Sequence, residues 1–356
     1  MFVALRDLRF ARGRFVLIGS VVALITVLVG FLSGLTGGLA TQNISAVLAL
    51  PADRIVFSSP DGDAGESTFS DSAITEQQTR SWAATEGVTT AEPVGISQTR
   101  AETSTTRVAV AVFGVRPGFD AVAPTEDGLL SLSEPAAKDL DVVTGDSVTI
   151  AGTSYIVETV SGDDWYSHTP LIRMTLNDWQ SYSAATGSPG TYATVLAVTG
   201  APDWAAADSV HATISKTTLS SLAALSAFKS EIGSLLLMIG MLFGISGLVI
   251  GAFFTVWTMQ RKADIAVLKA LGASTRSLVR DALGQALIVL VLGIGLGLGI
   301  VALLGTLAGS ALPFLLSPLT TALPGIIMTA LGLAGAAFAL RSVTSADPLT
   351  ALGSNR

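Results

Sequence analysis

The chain has no cysteine. Disulfides, iron–sulfur clusters and thiolate zinc sites are therefore excluded. An exposed domain of this chain would not depend on oxidative folding. Histidine occurs only as His168 and His211, too few for a multi-histidine metal centre. No GxxxxGK[ST] phosphate loop occurs, and Gly37-Gly38 lacks the Lys-Ser/Thr that would follow. If the chain is driven by ATP, another subunit must hydrolyse it. No nucleophile–base–acid set, HExxH motif or supported carboxylate pair is present, and Asp163-Asp164 reads as a solvated turn. Charge is scarce at 13% of residues, while half are hydrophobic. Mean hydropathy is +0.61, outside the range of a purely soluble protein. With 356 residues there is room for two ordinary domains.

The apolar residues gather into one stretch near the N-terminus and three near the C-terminus, with a polar middle. Residues 1–14 carry Arg6, Arg9, Arg12 and Arg14 among Phe2, Val3, Leu5, Leu8 and Phe10, the pattern of a cytoplasmic interfacial helix. A basic flank of the first membrane helix is the plainer reading. Residues 15–40 are long enough to cross a ~30 Å hydrocarbon core at ~1.5 Å per residue. Asn43-Ile44-Ser45-Ala46 mimics a signal-peptide end, but the apolar run is too long, which favours a retained helix.

Residues 41–228 form an α/β domain, with strand-like Arg54–Ser58, Val108–Val115 and Ser154–Val160 and a helix over Thr75–Glu86. Residues 229–259 are a second span, with a continuous helical lead-in from about Thr217. Residues 260–276 form a short cytoplasmic helix. Spans three and four cover 277–309 and 324–341, separated by an external loop, 310–323, with Pro313, Ser317 and Pro318. Residues 342–356 are a polar tail. The expected fold class is thus a four-helix membrane protein with a mixed α/β extracytoplasmic domain inserted between helices one and two.

Charge orients the spans. Residues 41–228 hold eight basic and 22 acidic residues, a net of −14. Arg6, Arg9, Arg12 and Arg14, then Arg261, Lys262, Lys269, Arg276 and Arg280, then Arg341 and Arg356 fall on one side of a four-crossing chain. The positive-inside bias makes that side, with both termini, cytoplasmic, and puts the acidic domain outside.

The segment after the second span reads QRKADIAVLKALGAS. Its helix formers, ended by Gly272, suit a short helix between membrane and cytosol. A plain connector and a site of contact with a driving subunit fit equally well. Here the sequence resembles the MacB/FtsX superfamily of transporter permeases. Arg261, Lys262, Asp264, Ile265, Leu268, Lys269, Ala270, Leu271, Gly272 and Ala273 match its run R-K-x-[DE]-I-x-[VL]-L-K-A-L-G-A. Asp347-Pro348-Leu349-Thr350-Ala351-Leu352 is similar to its DP-x-x-AL ending. Ser133–Lys138 followed by Gly145-Asp146-Ser147-Val148-Thr149-Ile150 is similar to its outer core domain, with Gly145-Asp146 expected as a turn joining β-strands. The resemblance implies two copies of the permease in a membrane of lipid, two copies of a separate cytoplasmic ATPase holding ATP and Mg, and no nucleic acid. ATP-driven closure would push on Arg261, Lys262, Asp264, Ile265, Leu268, Lys269, Leu271 and Gly272. The first two spans would carry the stroke outward.

A narrower resemblance is to HrtB-like haem exporter permeases. It rests on Gly13-Arg14-Phe15, on Leu32-Ser33-Gly34-Leu35-Thr36-Gly37-Gly38-Leu39, on Trp165-Tyr166-Ser167-His168-Thr169-Pro170 and on Asp178-Trp179-Gln180. It implies haem as cargo, with no intrinsic cofactor. Haem is flat and amphiphilic and suits a lateral site between helices. Its iron needs an axial ligand. Glu231 is the only acid near the outer end of a span, and an ionisable residue there points to function. Met238 lies seven residues on, on the same helical face. Phe31 and Leu35 would form an apolar wall. The blander readings are a Glu231 at headgroup level, solvated or paired with Lys229, Met238 and Met241 as packing residues, and His168 as a hydrogen-bonding loop residue.

Gly240, Gly244, Gly247 and Gly251 on the second span, and Gly293, Gly295, Gly297 and Gly299 on the third, suit close helix packing, or bending. Two other functions fit the same machine: an FtsX-like signalling permease controlling a cell-wall hydrolase, and export of lipoproteins or antibiotic peptides.

Overall fold

The computed structural model describes residues 12–59, 67–260, 267, 271–308 and 312–344. The chain divides into two compact units, Leu39–Gly233 and, flanking it in sequence, Met1–Gly38 with Ser234–Arg356. In chain order the described elements are α1 (Arg12–Leu48), β1 (Arg54–Ser58), α2 (Glu76–Ala83), β2 (Val88–Glu102), β3 (Arg107–Val115), β4 (Leu129–Leu132), α3 (Glu134–Leu140), β5 (Ser147–Ile150), β6 (Thr153–Val160), β7 (Trp165–Tyr166), β8 (Thr169–Thr175), α4 (Leu176–Ala185), β9 (Val195–Gly200), α5 (Trp204–His211), β10 (Thr213–Thr217), α6 (Thr218–Ser221), α7 (Ser226–Gln260), α8 (Thr275–Ala308) and α9 (Ala322–Thr344). The fold class expected from the sequence is therefore present: four helices long and apolar enough to cross a membrane, α1, α7, α8 and α9, with an α/β domain between the first and the second.

The helical unit is held by small residues that admit neighbouring backbone. On α8, a Cβ added at Gly293 would lie 3.0 Å from the Gly19 carbonyl oxygen, and one at Gly297 would lie 2.8 Å from that of Ala23. Gly335 on α9 meets the Cα of Gly251 on α7 in the same way, at 2.9 Å. Around these contacts Ile18, Val22 and Val29 of α1 share one core with Ile250 and Phe254 of α7, Leu290 and Ile294 of α8, and Met328 and Ala336 of α9. Gly34, Gly37 and Gly38 seat the segment before α9. A Cβ on them would overlap Phe314, Thr320 and Pro313 respectively. Leu315 also donates its N–H to the Gly34 carbonyl at 3.0 Å.

The α/β unit is built on one sheet in the order β10-β1-β9-β2-β3-β8-β4-β6-β5. The long strand β2 serves twice. Its first half pairs with β9. Its second half pairs with β3, and Ala101 and Glu102 also pair with Ile150 and Thr149 of β5. That last pairing closes β2-β3-β8-β4-β6-β5 into a barrel, which removes the exposed edges an open sheet would carry. Its interior holds Val110, Val112, Leu130, Leu132, Ile150, Ile172 and Met174. Trp179 of α4 packs onto the sheet where the register-paired Gly95 and Gly114 have no side chain to meet it. Its indole N–H donates to Ser97 Oγ at 3.0 Å. The Asp178-Trp179-Gln180 motif thus serves packing. Asp178 accepts from the Gly128 N–H, and Gln180 donates to the Tyr192 carbonyl.

Thr75 caps α2 through a reciprocal capping box with Gln78, and Ser133 caps α3. Two expectations need correction. The Gly145-Asp146 turn leads from α3 into β5, not from strand to strand, and Gly145 takes φ +95 there. The lead-in to the second long helix is not continuous with it. Leu225 is extended, at φ −86 and ψ 102, between a short 3₁₀ turn and α7.

Candidate functional site

The site is built from a two-residue hairpin. Tyr166 of β7 pairs with Thr169 of β8. The loop residues Ser167 and His168 both take positive φ, 49° and 64°. That is the pattern of a type I′ turn, normally the place of Asn-Gly. The hairpin is pinned on both flanks. The Ser167 N–H donates to the Asn43 carbonyl at 2.9 Å and the His168 N–H to the Gln42 carbonyl at 3.0 Å, both near the end of α1. The Trp165 N–H donates to Ser45 Oγ at 2.8 Å. Gln98 of β2 donates to Thr169 Oγ1 at 3.2 Å. Tyr166 is buried against Phe69 and Phe113, ring centroids 6.0 and 5.4 Å away, and that burial pushes its phenol above the ordinary value. One strand-pair further on, the buried Arg173 holds Asp164 at 2.8 Å and Asp120 at 3.6 Å, which fixes the loop leading into β7.

A backbone held this firmly fixes the imidazole. His168 Nε2 lies 2.7 Å from Glu231 Oε2, near the start of α7. Asn43, fully buried on α1, places Nδ2 3.3 Å from the same oxygen and 3.2 Å from His168 Nε2. An amide nitrogen only donates. With Glu231 ionised, Oε2 therefore accepts from both neighbours, His168 carries its proton on Nε2, and the 3.2 Å separation is the third side of a triangle. The carboxylate and imidazole keep 31% and 34% of their side-chain surface exposed. The group is thus both ordered and reachable. Asn43 Oδ1 is buried without a hydrogen-bond partner among the described residues, which costs about 1–3 kcal/mol.

The residues singled out from sequence are distributed unevenly. Glu231 sits in the triangle. His168, read as a loop residue, is its hydrogen-bond donor. Met238, Phe31 and Leu35 belong to the other compact unit. There Met238 is 48% exposed, and Phe31 stacks at a tilt on Phe314, centroids 5.1 Å apart. Arg261, Lys262, Asp264, Ile265, Leu268 and Lys269 lie outside the described residues. Leu271 is 79% exposed, and Gly272 has φ +91, in the left-handed region that favours glycine. Asn43 was missed as a site residue. Its one signal was a carboxamide in the polar run Thr41-Gln42-Asn43 that ends the first apolar stretch, and that run reads equally well as solvated.

Comparison with known proteins adds a set of similarities. Residues 236–348 match the model of the FtsX-like permease C-terminal domain. Along its whole length the chain is similar to a protein of Staphylococcus haemolyticus named for a hemin transport system, the permease protein HrtB, with 25% identity over 99% of both chains. It is equally similar to an uncharacterized ABC transporter permease of Mycobacterium tuberculosis, with 26% identity over 99% of both. Among solved structures, the extracellular domain of the ABC-type transporter YknZ from Gram-positive bacteria aligns at TM-score 0.35 and 11% identity, covering 47% of this chain and all of that one. The periplasmic region of MacB from Actinobacillus actinomycetemcomitans aligns at 0.35 and 10%, covering 47% and 89%. Alignments this weak add nothing to the reading of the fold. The family match on the segment beginning in α7, the two full-length similarities and four apolar helices with an α/β domain between the first and second in sequence point the same way: the chain is similar to ABC-transporter permeases of the FtsX/HrtB type.

Proposed function

We propose that this permease is the membrane subunit of an exporter that expels haem, driven by ATP hydrolysis in a separate cytoplasmic subunit. One observation carries the choice of cargo. Glu231, the acid at the expected outer end of a long apolar helix, is ordered, partly exposed and hydrogen-bonded. Its carboxylate oxygen is a hard donor suited to ferric iron, and haem is here the transported substrate. The full-length similarity to a protein named for hemin transport supports the same cargo.

Several parts of this reading come from sequence. The positive-inside bias supports cytoplasmic termini and an external α/β domain. The QRKADIAVLKALGAS segment, which resembles the family's coupling run, would receive the ATPase stroke. Two copies of the permease would assemble, bringing two Glu231 carboxylates to one haem.

The test is a hemin titration of the purified permease with its ATPase, followed by the Soret band and by ATP hydrolysis. The expected result is a saturable Soret shift with an altered ATPase rate, both lost in Glu231→Ala. A shift no larger than partitioning into empty micelles would remove haem as the cargo. It would favour peptides, lipoproteins or a cell-wall signalling role.

A further inference from the structure

Glu231 does not stand alone as a ligand. Two donors from two other parts of the chain converge on its Oε2: Nε2 of His168 at 2.7 Å and Nδ2 of Asn43 at 3.3 Å. A carboxylate that binds a metal is usually oriented by such outer partners. Two directional hydrogen bonds on one oxygen fix the plane of the carboxylate as well as its position.

The hairpin gives a second, independent indication. Ser167 and His168 hold left-handed backbone angles that cost on the order of 1 kcal/mol each for residues with a Cβ. Asn-Gly would relieve that strain. What the strained turn gains is an imidazole on a backbone tied to α1 through Gln42, Asn43 and Ser45. The imidazole is therefore held against α1 while Glu231 rides on α7.

We propose that His168, assisted by Asn43, is a positioning residue that orients the Glu231 carboxylate for the iron of the cargo. This rests on the reading of Glu231 as the iron ligand. On binding, an iron–oxygen bond to the carboxylate forms, and the His168 proton stays on Nε2 as the donor to Oε2. The water or anion that held that axial position of the ferric haem leaves to solvent, and no proton or electron moves. His168 touches the ligand and not the iron.

The experiment uses the permease with its ATPase and hemin as the probe. Three variants are compared by Soret titration and by electron paramagnetic resonance of the ferric haem. His168→Asn suits the left-handed backbone angle but is too short to reach Glu231. His168→Gln retains a reaching N–H donor. Glu231→Ala removes the ligand. The expected result is a roughly ten- to hundredfold weaker hemin affinity in His168→Asn, as for other outer-shell partners. The oxygen-ligated ferric signal should broaden but keep its type, and His168→Gln should restore affinity and signal. If His168→Asn binds hemin as the unaltered protein does, or more tightly, the positioning role is overturned. If His168→Asn changes the signal type and His168→Gln gives no rescue, His168 is itself an iron ligand and the proposal falls. Unaltered hemin binding in Glu231→Ala would sink the ligand reading itself. That result is separable from the others because it appears in a different variant.

Discussion

α7 and α8 are two apolar helices of nearly equal length, 35 and 34 residues, each carrying a ladder of glycines. From sequence they read alike. In the structure they do not. On α8 the ladder splits by face. Gly293 and Gly297 lie against α1, while among the described residues nothing approaches Gly295 and Gly299. On α7 it splits along the axis. Gly247 and Gly251 face α9 through Leu331 and Gly335, whereas Gly240 and Gly244 meet nothing among the described residues. Leu237, Met241, Ile245 and Leu248, beside them, are exposed. In the most apolar window of α7 only 11% of residues are buried, against 33% in that of α8. A glycine ladder therefore specifies that a helix can be approached closely. It does not specify by what.

Three substitutions break or sharpen this contrast. Gly297→Leu has the largest expected effect. Its side chain would meet the Ala23 carbonyl and Thr26 rather than a yielding side-chain tip. Overpacking against backbone should cost on the order of 3 kcal/mol, seen as loss of monodisperse protein in detergent and a lowered melting temperature. Gly244→Leu is the matched test on α7. Within one chain it meets open space, so thermal stability should stay within about 0.5 kcal/mol. In the proposed two-copy assembly, however, the dimer fraction in cross-linking or native mass measurement should fall. An undiminished dimer fraction would assign this face to lipid. The smallest effect is expected on α1, the helix that covers α8. Ser33 Oγ and Thr36 Oγ1 are buried without a hydrogen-bond partner among the described residues. Ser33→Ala should leave stability unchanged or raise it by up to about 1 kcal/mol. Clear destabilisation would mean the hydroxyl has a partner in the assembled state.

The same division separates what was legible in the sequence from what was not. The helix beginning near Thr75, the strand over residues 54–58 and the four apolar helices depend on neighbours within a few residues, so the linear pattern records them. The glycines of Leu32–Leu39 read as a family signature, but their physical role, seating Pro313, Phe314 and Thr320, could not be seen. The motif around Trp179 depended in the same way on Gly95 and Gly114, more than sixty positions earlier.

The sequence by itself determined the apolar spans, the local helix and strand pattern, and the choice of Glu231 as the acid that had to be explained. Each follows from composition or from short-range periodicity. Only the tertiary structure decided what surrounds that acid. Asn43, His168 and Glu231 are separated by 125 and 63 residues. They meet because a barrel-borne hairpin is tied to one long helix while the acid sits on another. No local propensity encodes that meeting. It is fixed by the pairing of β7 with β8, the backbone hydrogen bonds onto α1 and the burial of Tyr166, all of which exist only once the chain has folded.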